Sequence, residues 1–342
     1  MALIAPLMDG PIDLIGDIHG EIDALRDLVE RLGYSESGHH PDGRRLVFVG
    51  DLCDRGPDSP AVVAFVAGLV EAGQAQCVLG NHELNILRGE RREGNGWFFE
   101  HDHDKEEGKF LNCATVPADM RSPILDFFSS LPVALEGPGL RVVHACWQED
   151  VIGLVRTEAD GDTSISFERW EEELHDRLHA EGIFAAAETE QAEFGALLHE
   201  ASARIPMLPN IATLDQARQM ANPLRVVTSG VERATAAPFY ASGKWRMVER
   251  VAWWNEYESD VPVVMGHYWR WPVPVDRAAF GKAGPDLFDG APFDEPLGAR
   301  QNVYCIDYSV GRRFQERLKG GPFQTRLGAL RWPERELVFD GL

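Results

Sequence analysis

Three apolar runs in the first eighty residues, at Ile12–Ile15, 46–49 and 77–79, each end in a short polar string. The strings are Gly16-Asp17-Ile18-His19-Gly20, Gly50-Asp51-Leu52-Cys53-Asp54-Arg55-Gly56 and Gly80-Asn81-His82-Glu83. They recur about thirty residues apart, the length of one strand–helix–strand unit. A short apolar run bounded by turn residues reads as a buried strand. Each string places carboxylate, amide or imidazole donors at a strand's C-terminal end, where an α/β sheet presents ligands to a crevice.

The segments between the strings fit that reading. Residues 21–32 carry apolar side chains at Ile22, Leu25, Leu28, Val29 and Leu32, a helical stripe that Gly33 stops. Residues 59–72 repeat the pattern, with Ser59 as the expected cap, Pro60 at the first helical position and Gly73 beyond the end. A third helix is expected at 122–130 and a short strand at 140–143, ending at His144. The interval 149–200 is acidic and rich in Ala, Glu and Leu, with helical spacing at Trp170, Leu174, Leu178, Phe194 and Leu197. It reads as an inserted helical cap, or as solvated surface helices with no part in the chemistry. Strand-like runs return at 224–228, 261–265 and 273–275. The runs at 303–306, 328–332 and 336–339 read as closing antiparallel strands. Residues 281–296 read as a Pro-, Gly- and Asp-rich loop.

The 342 residues carry a formal charge of −22. With no Lys/Arg cluster, that charge argues against binding nucleic acid or an anionic membrane. It leaves a small phosphorylated ligand open, because bound divalent ions invert the local field. No apolar run approaches the roughly 18–20 residues that span a bilayer, and no signal peptide is evident, so the expected location is cytoplasmic. The five cysteines form no CxxC pair and are expected to be reduced, packed thiols.

Asp17 and His19, two residues apart at a strand end, point the same way and can grip one ion. Asp51 can bridge two ions with its two oxygens, and Asn81 offers a neutral amide oxygen. His144 and His267 again follow apolar strands. Asp, Asn and His together suit borderline divalent ions, whereas calcium favours more carboxylates and no imidazole.

The succession GDxHG, GDxxDRG, GNHE, VH and GH is similar to that of the calcineurin-like metallophosphoesterase superfamily. Within it the chain resembles the phosphoprotein-phosphatase branch, which includes bacterial bis(5′-nucleosyl)-tetraphosphatases. The likeness covers 12–147 well and 261–270 by motif. It implies an α/β (α+β) fold, a four-layer α-β-β-α sandwich in a single domain over 1–342, with a cap inserted at about 149–255. It implies two divalent metal ions, manganese first, with iron, zinc, cobalt or nickel as alternatives. The first would be held by Asp17, His19 and Asp51, the second by Asp51, Asn81, His144 and His267. A hydroxide bridging the ions would attack phosphorus in line with the leaving group. His82 would be the general acid, oriented by Asp54, and Arg55 would bind phosphate oxygens. Asn81 and Arg270 are further candidate substrate contacts, with Arg233, Arg246 and Arg250 competing with Arg270. Glu83 is expected to support the loop.

Eukaryotic-type protein phosphatases of this branch have Arg where this chain has Leu79. Many relatives outside the branch have a second histidine where it has Trp269. The expected substrate is a phosphorylated small molecule, nucleotide or phosphoprotein. Phosphomonoester hydrolysis stands first and dinucleoside polyphosphate hydrolysis second. A silent metal-stabilised binding module is a third reading, against which the retained His82 argues. The run His101-Asp102-His103-Asp104 reads as an exposed polar loop. Trp253, Trp254, Tyr257, Tyr268, Trp269 and Trp271, around the GH motif, read as core packing or as a platform for a nucleoside base.

Overall fold

The computed structural model describes residues 2–99, 109–110, 113–158, 161–241, 243–273, 286–288 and 290–342. Its strands are β1 (Ile4–Pro6), β2 (Ile12–Ile15), β3 (Arg45–Phe48), β4 (Ala75–Cys77), β5 (Ala134–Glu136), β6 (Arg141–Val143), β7 (Glu232–Ala241), β8 (Lys244–Arg250), β9 (Val263–Met265), β10 (Val303–Cys305), β11 (Gly328–Trp332) and β12 (Glu336–Phe339). One sheet runs β12-β11-β2-β3-β4 and the other β1-β5-β6-β9-β10. In the first, β2, β3 and β4 are parallel, and β11 joins β2 antiparallel. In the second, β6, β9 and β10 are parallel. β10 was expected to close the fold antiparallel with β11 and β12; of these three, only β11 and β12 pair that way.

Side chains alternate across each strand, and this builds the layers. Ile12, Leu14, Val47 and Val49 from one sheet meet Val142, Val264 and Tyr304 from the other in the inner core. The alternate residues Ile15, Leu46, Phe48, Val143, Val263, Met265 and Cys305 turn outward onto helices. Ile22–Leu32 and Ser59–Glu71 cover one sheet, and Glu149–Arg156 and Pro223–Ser229 help cover the other. This is the four-layer α-β-β-α sandwich.

Local chemistry explains where the elements start. Gly33, at φ 96°, ends the first helix in the left-handed conformation. Asp58, not Ser59, caps the second helix through Ala61 N at 2.9 Å. Ser59 Oγ instead accepts from Asp54 N at 2.9 Å and so braces the second string. The run 224–228 lies in a helix rather than a strand. Asn222 caps it through Leu224 N and Arg225 N, and Pro223 takes the first position. Those start signals outweigh the β-branched pair Val226 and Val227. Of the run 273–275, Val273 is a bend and 274–275 lie outside the described residues.

Helices Glu149–Arg156, Thr163–Ala180, Ile183–Phe194, Pro209–Met220 and Pro223–Ser229, with the β7–β8 hairpin, occupy most of 149–255. Leu174, Leu178, Leu198, Leu208, Ile211 and Met247 give this region a core of its own. Glu168, Glu172, Glu173, Glu181, Glu188 and Glu193 are exposed to solvent. No described helix is long and apolar enough to cross a membrane.

β2, which delivers the first string, is pinned by a buried ion pair. Asp13 accepts from Arg44 Nε at 2.9 Å, from Arg44 Nη2 at 2.8 Å and from Tyr34 Oη at 2.8 Å. Removing one partner of a buried pair strands the other's charge. Asp13→Ala is expected to cost about 3–5 kcal/mol of unfolding free energy in urea melts. A loss below about 1 kcal/mol, the range of exposed pairs, would show that the pair does not anchor β2.

Candidate metal centre and active site

The ends of β2, β3 and β4 meet the ends of β6, β9 and β10 where the two sheets face each other, and every turn there is sharp. Among the described residues the non-glycine positions with positive φ include His19 (49°), Asp51 (50°), Asp54 (72°), Arg55 (70°), His267 (71°) and Trp269 (55°). Such conformations cost of order 1–3 kcal/mol each and persist where surrounding contacts hold them. Close backbone approach is also required. A Cβ on Gly266 would lie 1.9 Å from Asp17 Oδ1, so only glycine lets the two sheets' turns meet. His267 N then donates to the Asp17 carboxylate at 3.1 Å.

Glu83 holds the second and third strings together. Its buried carboxylate accepts from Asp51 N at 2.9 Å, Leu52 N at 2.8 Å and Gly80 N at 3.0 Å. Burial, with Asp51 nearby, pushes its carboxyl up. Cys53 Sγ lies 3.2 Å from the same carboxylate. Cys53 and Cys146 are both buried, and burial pushes both thiols up.

Two groups of donors share Asp51: His19–Asp51–His82 and Asp51–His144–His267, each with its ligand atoms within 4.8 Å of one another. Asn81 Oδ1 lies between the two imidazoles of the second, 2.9 Å from His267 Nδ1 and 3.3 Å from His144 Nε2. The ring tautomers suit a metal. His19 Nδ1 is 3.0 Å from Cys53 O, and His144 Nδ1 is 2.7 Å from Val49 O. Those carbonyls can only accept, so each ring's Nδ1 carries a proton and its Nε2 is the atom turned toward the other donors, the usual arrangement of a metal-ligating histidine. His267 turns Nδ1 toward Asn81 Oδ1, so Nδ1 is the ring atom placed to hold an ion.

The electrostatics show how tightly these buried groups are coupled. Burial opposes charge on Asp51, but His144 and His82 hold its carboxyl well below the usual range. Burial likewise opposes charge on His144, yet Asp51 pushes it up to about 10. Burial, with Asp307 adding to it, pushes Asp17 well up. His19 and His267 are pushed well down by burial, with Arg55 and Arg250 as the next causes. A site that crowds buried carboxylates and imidazoles in this way fits divalent cations.

A second set of contacts lies beside the donors. His82 Nδ1 is 2.5 Å from Asp54 Oδ2, and Trp97 Nε1 donates to Asp54 Oδ1 at 2.6 Å. The Arg55 fork reaches His19 Nε2 at 2.8 Å and His82 Nε2 at 2.9 Å. Both nitrogens accept there, so the His82 ring carries its proton on Nδ1, toward Asp54.

Arg270 is not brought to the site. It is buried, and its guanidinium donates to the carbonyls of Pro292 and Glu295 and stacks 5.5 Å from the Phe288 ring. Arg250 lies 5.8 Å from the Tyr268 ring, on the His267 side. Arg233 pairs with Glu249, and Arg246 donates to Ala241 O. Trp253, Trp254, Tyr257 and Tyr268 are buried, whereas Trp269 and Trp271 are partly exposed. The run 101–104 lies outside the described residues.

Sequence reasoning passed over Asp307 and Trp97. Asp307 follows β10 as Asp17 follows β2, so the same strand-end signal marks it. Its carboxylate accepts from Trp269 N at 2.7 Å and Ser309 N at 2.8 Å. Nothing local marks Trp97, whose link to Asp54 is made only by the fold. Because both donor groups contain Asp51, Asp51→Asn is expected to abolish binding of both ions together, read by metal analysis of manganese-loaded protein. One ion retained at full occupancy would contradict the shared role.

The family model for calcineurin-like phosphoesterases matches residues 10–271. Among curated relatives, the asymmetrical bis(5′-nucleosyl)-tetraphosphatase PrpE of Halalkalibacterium halodurans is 51% identical over 79 residues, covering 22% of this chain and 32% of that protein. The PrpE of Bacillus velezensis is 47% identical over 149 residues, covering 41% and 58%. The chain thus spans between a third and three-fifths of these relatives' length. A solved cold-active protein tyrosine phosphatase from a Shewanella species aligns over 99% of this chain and 82% of its own, at 14% identity and a TM-score of 0.44. With its motifs in order, its donors gathered at the meeting of two sheets and its family match spanning most of the sequence, the chain belongs to the calcineurin-like phosphoesterase family.

Proposed function

We propose that this family member is a phosphohydrolase that uses two divalent ions, and that its substrate is a dinucleoside polyphosphate, cleaved at a phosphoanhydride bond. The observation that carries the reaction is the continuity of contacts from the shared Asp51 through His19 and Arg55 to the His82–Asp54 pair. The ions would be held by Asp17, His19 and Asp51 on one side and by Asp51, Asn81, His144 and His267 on the other. When bound, they supply a water of lowered pKa at neutral pH and neutralise charge on phosphoryl oxygens.

The chain's own groups do the rest. Arg55 offers a planar fork to two phosphoryl oxygens. When the fork turns to the phosphate it frees His82 Nε2, the atom from which a proton would pass to the leaving oxygen. Asp54 holds the ring in place through Nδ1. His82 gives the Nε2 proton to the leaving oxygen, which for a poor leaving group is the costly part of the step. Trp97 fixes the other oxygen of Asp54 and so its orientation. Arg250, on the His267 side, is a second cation offered to the phosphate. Arg270, tied to backbone carbonyls, is not assigned to substrate.

Sequence reasoning ranks a phosphomonoester first. Two observations favour the dinucleotide. The named relatives are asymmetrical tetraphosphatases. Glu168, Glu172, Glu173, Glu181, Glu188 and Glu193 of the cap, which would repel a polyanion if they faced the crevice, lie exposed to solvent. The region 149–255 then acts as the cap that determines which substrates enter.

His82→Asn is expected to keep its metal content and to lower kcat by about 10²–10⁴, the usual worth of a general acid. The loss should be smaller for p-nitrophenyl phosphate, whose leaving group needs no proton, than for an alkyl phosphate. Equal losses on both would remove His82 from the acid role. Wild-type turnover of diadenosine tetraphosphate and p-nitrophenyl phosphate, measured side by side, tests the substrate class. Preference for the monoester would overturn it.

A further inference from the structure

Beyond Arg55 and Arg250 the structure carries a further guanidinium beside the same donors, that of the buried Arg312. Arg312 ends a short 3₁₀ turn, Val310–Arg312. That turn lies against the metal centre: a Cβ on Gly311 would sit 2.3 Å from His19 Cδ2, so the backbone of 311 packs on the edge of a candidate metal ligand. Arg312 therefore emerges one residue from the His19 ring.

Aromatic rings join it to Arg55. The Arg55 guanidinium lies 4.9 Å from the centroid of Trp269, and the Arg312 guanidinium lies 5.8 Å from the same ring. Arg312 is also 5.2 Å from the Trp271 ring. All three distances fall within the range of cation–π attraction. The two positive forks are thus spaced by one indole, and the buried Arg312 fork sits beside a second, partly exposed indole. Gln315 Oε1 takes one Nη2 donor of Arg312 at 2.7 Å and helps orient its plane.

The arrangement is held rigidly. Trp269, at φ 55°, and Ser309, at φ 64°, both adopt the left-handed conformation. One carboxylate restrains both, since Asp307 Oδ2 accepts from Trp269 N and Asp307 Oδ1 from Ser309 N. Arg270 N donates to Asp307 O at 2.8 Å, and Ser309 Oγ donates to Arg270 O at 2.9 Å. The turn carrying Trp269 and the turn carrying Arg312 are therefore locked to each other. Strain of this kind in a bulky residue such as Trp is unusual.

We infer that Arg312, held beside Trp269 and Trp271, binds the phosphate next to the one under attack. It is thereby a specificity-determining residue for substrates with a phosphoanhydride chain. This deepens the dinucleoside polyphosphate reading and rests on it for the identity of the natural substrate. Arg55 takes the phosphoryl group at the ions, and Arg312 takes the following phosphate of the leaving chain. A phosphomonoester has nothing to offer Arg312. The contact therefore separates the two substrate classes that the metal centre alone cannot tell apart.

The test compares wild type, Arg312→Gln and Arg312→Lys, all loaded with manganese. A charge-assisted hydrogen bond to phosphate corresponds to about a ten- to hundredfold effect on binding. Arg312→Gln should lose kcat/KM on diadenosine tetraphosphate at least about tenfold more than on p-nitrophenyl phosphate, mainly through KM, and Arg312→Lys should recover part of it. Competitive inhibition of p-nitrophenyl phosphate turnover gives an independent reading. Methylenediphosphonate, a non-hydrolysable diphosphate, should lose about tenfold or more in potency with Arg312→Gln, and orthophosphate should not. Equal losses on both substrates, or equal changes for both inhibitors, would make Arg312 merely structural and overturn the proposal. If Arg312→Gln does not fold, Arg312→Lys alone decides by the same ratios. A wild type that ignores diadenosine tetraphosphate would sink the substrate reading of the preceding section, and the inhibitor ratio would still decide the role of Arg312.

Discussion

The architecture turns on one buried carboxylate, Asp51, around which the other groups of the site gather. Asp51 is 3% exposed and lies where two sheets converge, with Asp17, Glu83 and Asp307 also buried around it. Taking such charges out of water costs several kcal/mol each unless they are paired. Backbone N–H groups answer Glu83 and Asp307, and four imidazoles and Arg55 gather about the rest. Sheet convergence, glycine at close approaches and left-handed turns all serve to bring these groups within reach of one another.

The strained turns follow from that demand. A strand end with ordinary φ carries its side chains onward along the strand. Positive φ at His19, Asp51 and His267 turns the chain back, so that donors from opposing sheets point at a common volume. Glu83 and Asp307 hold these turns by accepting backbone N–H bonds. The strain is thereby offset by contacts in the layer behind the donors. The same turns present Arg55 and Trp269 to the crevice, which links metal binding to substrate recognition.

Much of this was legible because the signals are local. An apolar run followed by a donor marks Asp17, Asp51, Asn81, His144 and His267; Asp51, His144 and His267 share one donor group with Asn81 Oδ1 between the imidazoles, and Asp17 accepts from His267 N. The same rule applied to the run 303–306 would have marked Asp307. Arg270 shows where adjacency misleads. It is three residues from His267, yet the left-handed Trp269 between them redirects the chain and sends its guanidinium onto the carbonyls of Pro292 and Glu295. The run 224–228 misleads differently. Its β-branched residues suit a strand, but the Asn222 cap, the Pro223 start and burial against the outer face of a sheet make it a helix.

The chain's order of motifs determined its family, its strand–helix alternation and the residue types available for the chemistry, because each depends on spacing of a few residues. Tertiary structure decided which side chains share a volume. The pairing of Trp97 with Asp54, the packing of Gly311 on His19 and the alignment of Arg55, Trp269 and Arg312 join residues distant in sequence. Such contacts arise from how two sheets stack and how their turns bend. No local pattern encodes them, since the free energy that selects them comes from burial and charge pairing across the whole fold.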